Sequence, residues 1–152
     1  MIEAGTKAPD FSLPDQDGNQ VSLADFAGRK LVLVFYPLDF SPVCTDQLNL
    51  YQEVLSDLES QGATLVGISV DSTWAHRAFR EKLGISIPLL SDFEPKGEVI
   101  SSYGAYLEGV GHGNRSLVLI DPDGVVGWVH ESPTPLEIPG ANLIFDALSA
   151  ID

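Results

Sequence analysis

The chain has 152 residues, and its 8 Lys and Arg against 22 Asp and Glu give a formal net charge of −14. A chain of this length can bury about 68–70% of its unfolded surface in a core, without disulfides or a structural metal. The charge argues against binding to nucleic acid or to an anionic membrane, and the single cysteine excludes an internal disulfide, a multi-cysteine zinc site and dithiol exchange.

The N-terminal residues resemble neither a secretory signal nor a transit peptide. The longest apolar run, Leu31–Tyr36, is far shorter than the roughly 18 residues that a membrane-spanning helix needs. We therefore expect a cytoplasmic protein without a membrane partner. Because no repeat, low-complexity tract or linker divides the chain, we expect one domain over residues 1–152.

Two short alternating segments, Asp10–Leu13 and Gln20–Leu23, flank Asp17-Gly18 and predict an N-terminal β-hairpin. The continuous apolar run Lys30–Tyr36 is typical of a strand that is covered on both faces. Pro37 ends this strand, because proline cannot donate to a central ladder.

The segment after Cys44 has helical spacing and Gly62 as a C-cap candidate; its apolar positions are Leu48, Tyr51, Val54, Leu55 and Leu58. Ala63–Val70 predicts a second buried strand. Ser72 or Thr73 can cap the following helix, and Gly84 closes it. The apolar stripe expected for that helix is Ala75, Ala78, Phe79 and Leu83.

Ser116–Ile120 and Val125–His130 flank an Asp-Pro-Asp-Gly turn and predict another hairpin. A final helix follows, with the apolar stripe Ile144, Ala147, Leu148 and Ile151. Two strand–helix units, a hairpin and a closing helix predict an α/β protein with a central mixed sheet flanked by helices. A thioredoxin-like fold with an N-terminal hairpin is the architecture most compatible with this order.

The lone cysteine lies eight residues beyond Tyr36, at the start of a predicted helix. A single intracellular cysteine is most often a small buried hydrophobe. This position, however, places Cys44 at the C-terminal edge of the sheet, where α/β proteins form their binding crevices. The unpaired N–H groups and the positive dipole end of a helix N-terminus stabilise a thiolate.

Helix position alone leaves the thiolate in need of a cation. An ordinary cysteine is only about 3% ionised at pH 7, and Asp39 and Asp46 oppose ionisation if they point at the sulfur. Arg115 precedes the Ser116–Ile120 strand, which could lie beside Lys30–Tyr36. Arg115 is therefore the candidate cation, although spacing alone does not distinguish it from an ordinary surface arginine.

The segment Tyr36–Thr45, YPLDFSPVCT, resembles the peroxiredoxin active-site motif Pro-x-x-x-(Thr/Ser)-x-x-Cys. Three further segments resemble the same family in the same order: Ala8–Phe11, Ile87–Asp92 and Arg115–Asp121 with Gly124. The likeness covers essentially the whole chain and is greatest to the one-cysteine branch typified by alkyl hydroperoxide reductase E and the bacterioferritin-comigratory proteins.

This resemblance implies a thiol peroxidase that reduces hydrogen peroxide or organic hydroperoxides without a metal or organic cofactor. Cys44 would be the peroxidatic nucleophile, and Ser41 would offer its hydroxyl to the peroxide oxygens. Arg115 would stabilise the thiolate and the charge that develops on the leaving oxygen. Pro37 would cover the pocket, and Val43 would join these residues in binding substrate.

The chain departs from the family pattern at three positions. Ser41 and Gln47 stand where relatives more often have threonine and glutamate, and Asn49 stands where one branch often has a resolving cysteine. The sulfenic acid on Cys44 would therefore need an external thiol. Thioredoxin- or glutaredoxin-type proteins and low-molecular-weight thiols are the candidates. The resemblance also makes a homodimer plausible.

Two other functions are compatible with the residues. Cys44 could serve a hydrolase with His112 or His130 as base, although such an enzyme has no specific need for Ser41 and Arg115. Alternatively, the chain could be a non-catalytic binding module with an inert cysteine. His76, His112 and His130 do not have metal-ligand spacing and are expected to be exposed or to lie in hairpins.

Overall fold

The computed structural model describes residues 1–151. The strands of these residues, in chain order, are β1 (Ser12–Pro14), β2 (Gln20–Ser22), β3 (Lys30–Phe35), β4 (Ala63–Ser69), β5 (Leu89–Ser91), β6 (Tyr106–Leu107), β7 (His112–Gly113), β8 (Ser116–Ile120) and β9 (Val126–Glu131). The α-helices are α1 (Pro42–Glu53), α2 (Leu55–Ser60), α3 (Thr73–Leu83), α4 (Glu98–Ser102) and α5 (Ala141–Ala150), and Leu23–Phe26 forms a 3₁₀ turn.

The main sheet has five strands in the order β5-β4-β3-β8-β9. β3 pairs in parallel with β4 and antiparallel with β8, so the sheet is mixed as the sequence predicts. β1 and β2 form the expected N-terminal hairpin. The thioredoxin-like α/β architecture is confirmed.

Both faces of the sheet are covered, because β3 and β8 are apolar on both faces. Val32 and Val34 of β3 face a core that contains Leu48 of α1, Phe79 of α3 and Ile144 of α5. On the other face, a second core combines alternate residues of the same strands with the N-terminal segment and α4; it includes Phe11, Leu33, Phe35, Ile100 and Tyr103.

Three elements differ from the sequence-based expectation. The long helix after Cys44 is divided at Val54, which separates α1 from α2. In α3, Ala78 is exposed, whereas His76 is fully buried, so the expected exposure of this histidine is wrong. The third is an element without a predicted counterpart, in which His112–Gly113 pairs with Tyr106–Leu107 in a short antiparallel sheet.

Among residues 1–151, no helix combines the length and the apolar character needed to cross a membrane.

Candidate active site

Cys44 lies in the first turn of α1, and residues 36–41 connect this helix to the C-terminal end of β3. Ser41 is the N-cap, and Pro42 supplies a first helical residue that has no N–H to satisfy. The Ser41 hydroxyl oxygen accepts a hydrogen bond from the Cys44 N–H at 3.3 Å. Accepting this bond leaves the hydroxyl proton of Ser41 available to a ligand. The Cys44 side chain is 0% exposed and faces the positive end of the helix dipole.

Arg115 reaches the sulfur from the neighbouring strand. Ser116 pairs with Phe35 across β8 and β3, and this register brings Arg115 to the strand end from which the Cys44 loop departs. Its Nη2 donates to Cys44 Sγ at 3.3 Å, and its Nε donates to the carbonyl of Pro135 at 2.7 Å. The sequence could suggest this proximity, but only the strand pairing fixes it.

The charge of Arg115 is buried and meets neutral acceptors. The residue is 2% exposed, and within residues 1–151 no carboxylate forms an ion pair with it. Its Nη1 donates to Gln47 Oε1 at 2.5 Å. Because a buried charge needs electrostatic compensation, this environment favours a negative charge on the adjacent sulfur.

Two further side chains hold this arrangement in place: Gln47, noted in the sequence only as a departure from the family pattern, and Tyr51, noted only as an apolar position of the helix. Gln47 donates to the Tyr51 hydroxyl one turn along α1, and Tyr51 donates to the carbonyl of Pro139 at 2.7 Å. Burial raises the pKa of Tyr51 to about 12, so its phenol remains a donor. The segment between β9 and α5 is thus anchored to the active site through Arg115 and Tyr51. Spacing of i and i+4 from Gln47 is a signal that could have suggested this contact.

A pocket of about 360 Å³ lies over this centre. It brings together four of the residues singled out in the sequence: Pro37, Ser41, Val43 and Arg115. The remainder of the wall is largely apolar and comprises Pro42, Leu107, Val110, His112, Pro135 and Leu136. Cys44 itself is buried and is not among the residues that line the pocket. Ser41 and Arg115 belong to the wall, but the surface that the pocket exposes is almost entirely apolar.

The acidic residues near Cys44 in sequence have other partners or are exposed to solvent. Asp39 accepts hydrogen bonds from Tyr36 and pairs with His76, and Asp46 is exposed. Neither carboxylate therefore opposes the Cys44 thiolate through a direct contact, as the sequence had left possible.

Neither histidine proposed for a hydrolase is hydrogen-bonded to Cys44 in the described part of the chain. His112 uses its Nδ1 in a contact with the Gly113 carbonyl at 2.8 Å. His130 lies on β9 and stacks on Trp128 with ring centroids 6.0 Å apart. The group that contacts the sulfur is instead a cation, which cannot act as a general base at neutral pH.

The chain is similar to several known proteins over most of its length. Residues 4–129 match the model of the AhpC/TSA family. The chain is 42% identical over 131 residues to a Mycobacterium tuberculosis protein named as a peroxiredoxin, and the alignment covers 82% of each chain. It is 35% identical over 152 residues to alkyl hydroperoxide reductase E of the same species, which covers 99% of each chain. The crystal structure of peroxidoxin BcpB from Mycobacterium tuberculosis superposes with a TM-score of 0.89 at 29% identity, over 100% of this chain and 99% of the other.

Proposed function

The chain belongs to the AhpC/TSA family and is a thiol peroxidase of the peroxiredoxin type, and we propose that Cys44 is the residue its peroxide substrate oxidises. The observation that carries this proposal is the 3.3 Å contact between Cys44 Sγ and the Nη2 of a buried arginine without a carboxylate partner among residues 1–151. A thiolate is the nucleophilic form of cysteine, and this contact stabilises it.

In the proposed step, the Cys44 thiolate attacks the nearer oxygen of the hydroperoxide in line with the O–O bond. The S–O bond forms as the O–O bond breaks, and the leaving alkoxide or hydroxide takes up a proton. Cysteine is oxidised to sulfenic acid, and the peroxide is reduced to an alcohol or water. Arg115 stabilises the negative charge that passes from sulfur to the leaving oxygen.

Ser41, Pro37 and Val43 complete the proposed substrate site. The Ser41 hydroxyl accepts from the Cys44 N–H, and its own proton can be donated to a peroxide oxygen. Pro37 is buried and lines the pocket with Val43. These two apolar side chains would limit the access of water to the sulfur while a peroxide is bound.

The apolar pocket wall supports a preference for organic hydroperoxides over hydrogen peroxide. Leu136 and Val110 lie at the mouth, where their side chains are 79% and 60% exposed. We expect Leu136→Gln to lower the rate constant for cumene hydroperoxide about fivefold, which corresponds to about 1 kcal/mol of lost apolar contact. The rate constant for hydrogen peroxide should be unchanged.

Leu50→Gln is the matched control for this substitution, because Leu50 is exposed on α1 but does not line the pocket. It should leave both rate constants as they are. Equal losses for both peroxides in Leu136→Gln would contradict an apolar subsite at the pocket mouth.

The second half of the catalytic cycle requires an external thiol, because the chain has one cysteine. One thiol condenses with the sulfenic acid to give a mixed disulfide and water, and a second thiol releases Cys44 as a thiol. Candidates are a thioredoxin- or glutaredoxin-type protein and a low-molecular-weight thiol. Since Cys44 is fully buried, a protein thiol can reach it only if the first turn of α1 moves. A small thiol needs a smaller movement.

We further propose a homodimer in the cytoplasm, where thiol reductants are abundant. Leu38 and Phe40, in the loop that leads to Cys44, expose 40% and 47% of their surface, and exposed apolar groups of this kind favour association. Light scattering of the purified protein tests the dimer. A monomer at micromolar concentration would contradict it.

The proposed function is tested by peroxide consumption with each class of reductant. The wild type should consume cumene hydroperoxide in the presence of at least one thiol reductant, and Cys44→Ser should abolish the reaction. Turnover that persists in Cys44→Ser would exclude Cys44 as the peroxidatic residue.

A further inference from the structure

A second buried polar cluster lies beside the loop that leads to Cys44. Asp39 accepts a hydrogen bond from the Tyr36 hydroxyl on Oδ1 at 2.6 Å. Its Oδ2 lies 2.7 Å from His76 Nδ1, and His76 Nε2 lies 2.9 Å from the carbonyl oxygen of Leu90. Asp39 is 8% exposed, and Tyr36 and His76 are 0% exposed. The cluster therefore connects the active-site loop with α3 and β5 through fully buried contacts.

The protons of this cluster can be assigned from its partners. The Leu90 carbonyl can only accept, so His76 Nε2 carries a hydrogen. Burial raises the pKa of Tyr36 well above its usual range, so its phenol is the donor to Asp39. One proton then lies between Asp39 Oδ2 and His76 Nδ1, whichever atom holds it. The carboxyl group of Asp39 is thus fixed from both sides by hydrogen bonds.

The backbone of Asp39 is fixed as well. Its N–H donates to Asp71 Oδ2 at 2.9 Å, and the same oxygen accepts from the Ser69 hydroxyl at 2.6 Å. The next residue, Phe40, has a left-handed φ of 69°, a conformation that bulky L residues rarely adopt. Ser41 then caps the helix that carries Cys44. Asp39 is consequently the anchored residue immediately before an unfavourable backbone conformation and the catalytic helix.

The donor atoms of Asp39, Asp71 and His76 lie within 4.8 Å of one another, as in a metal site. The hydrogen bonds above already engage both Asp39 oxygens, both His76 nitrogens and Asp71 Oδ2. Each group thus has a protein partner, so the cluster is explained as a set of hydrogen bonds.

We infer that Asp39 and His76 are positioning residues for the peroxidase reaction. The bond from His76 holds Asp39, which keeps Phe40 in its left-handed conformation and so sets the N-terminus of α1 with Cys44 against Arg115. This inference rests on the proposed role of Cys44. In this inference, the hydrogen bond between Asp39 and His76 aligns the reacting sulfur, and the hydrogen bond between His76 and Leu90 does not.

Two substitutions of His76 separate these bonds. In His76→Asn, the amide nitrogen takes the place of Nδ1 and keeps a donor to Asp39. In His76→Gln, the amide nitrogen takes the place of Nε2 and keeps the donor to Leu90 only. Asparagine is smaller and leaves the larger void. If His76 serves stability alone, the asparagine variant is therefore the worse of the two.

The readouts are the rate constant of Cys44 oxidation in stopped flow, the thiolate absorbance at 240 nm and the thermal unfolding midpoint. We expect His76→Asn to remain within about threefold of the wild-type rate constant and His76→Gln to lose about tenfold or more, with a weaker 240 nm signal, because small misplacements of reacting groups lower rates steeply. Rate constants that are equal in the two variants, or that follow their unfolding midpoints, would overturn the inference.

Two substitutions of Asp39 provide a second pair of variants if neither His76 variant folds. Asp39→Asn can donate to His76 Nδ1 and accept from Tyr36, so it should oxidise Cys44 within about threefold of the wild type. Asp39→Ala lacks both bonds and should lose about tenfold or more, and equal rate constants would overturn the inference. If the wild type itself is not oxidised at Cys44, the proposed function fails, and this outcome is distinct from any difference among the variants.

Discussion

The reactivity proposed for Cys44 depends most directly on the charge of Arg115. Arg115→Gln removes the positive charge beside the sulfur, and its amide nitrogen ends at about the position of Nε. The amide can still donate to the Pro135 carbonyl, whereas Gln47 and Cys44 lose the donors that the two Nη atoms supply. The substitution therefore removes the charge together with these two hydrogen bonds, and Arg115→Lys, which keeps the charge, separates the two effects.

The magnitude follows from the geometry. At the 3.3 Å between Nη2 and Sγ, a unit charge pair interacts by about 5 kcal/mol at an effective dielectric constant of about 20. This interaction favours the reactive thiolate, and the same charge stabilises the leaving oxygen, a contribution worth roughly 10²-fold by itself. We therefore expect oxidation of Cys44 to slow by at least about 10²-fold at pH 7.

Stopped-flow oxidation by cumene hydroperoxide and thiolate absorbance at 240 nm measure the two contributions separately. Arg77→Gln is the control, since it removes the same charge from an exposed position on α3 and should leave both signals unchanged. Arg115→Lys keeps the charge and should recover part of the rate. Unchanged thiolate absorbance and an unchanged oxidation rate in Arg115→Gln would refute the electrostatic role.

Further predictions concern Ser41, Tyr51 and Asp71. Ser41→Thr should be tolerated, whereas Ser41→Val should slow oxidation at least tenfold, because it lacks the hydroxyl that caps α1 and faces the pocket; equal rates would show that the hydroxyl is idle. Tyr51→Phe should lower the free energy of unfolding by about 1–2 kcal/mol in urea titrations, since the Pro139 carbonyl loses its donor, and an unchanged value would contradict this anchoring. Burial raises the pKa of Asp71 above its ordinary 3.8, so the folded state binds this proton more tightly than the unfolded chain. The resulting stabilisation is complete below the ordinary pKa and is lost as pH rises through the raised one. The unfolding free energy of Asp71→Asn should therefore fall less steeply than that of the wild type as the pH rises from about 4, and equal slopes would exclude this contribution.

Much of the fold could be predicted because it depends on local patterns. Lys30–Phe35 and Ser116–Ile120 are apolar on both faces, as buried central strands require, and Ser72 and Gly84 delimit α3 as caps. The division between α1 and α2 could not be predicted in this way, since the apolar positions of the segment continue through Val54 without a proline or glycine. β5 is only three residues long and is recognisable through its pairing with β4.

For the candidate site, the sequence suggests individual residues but not the contacts between them. The position of Cys44 after a buried strand and the scarcity of cations directed attention to Arg115. The contact itself depends on the register between β3 and β8, which periodicity does not specify. The sequence predicts that His76 is exposed or lies in a hairpin, because it has no metal-ligand spacing to the other histidines. Its burial depends on acceptors that are distant in sequence, Asp39 and the Leu90 carbonyl, and only the tertiary structure brings these together.

Oxidation of Cys44 by peroxide, as proposed, forms a sulfenic acid that can be trapped chemically. The reduced protein is mixed with one equivalent of cumene hydroperoxide in the presence of dimedone, digested and analysed by mass spectrometry. We expect a dimedone adduct on the peptide that contains Cys44, formed only when peroxide is added and absent in Cys44→Ser. An unmodified Cys44 after the peroxide has been consumed would contradict the proposed oxidation.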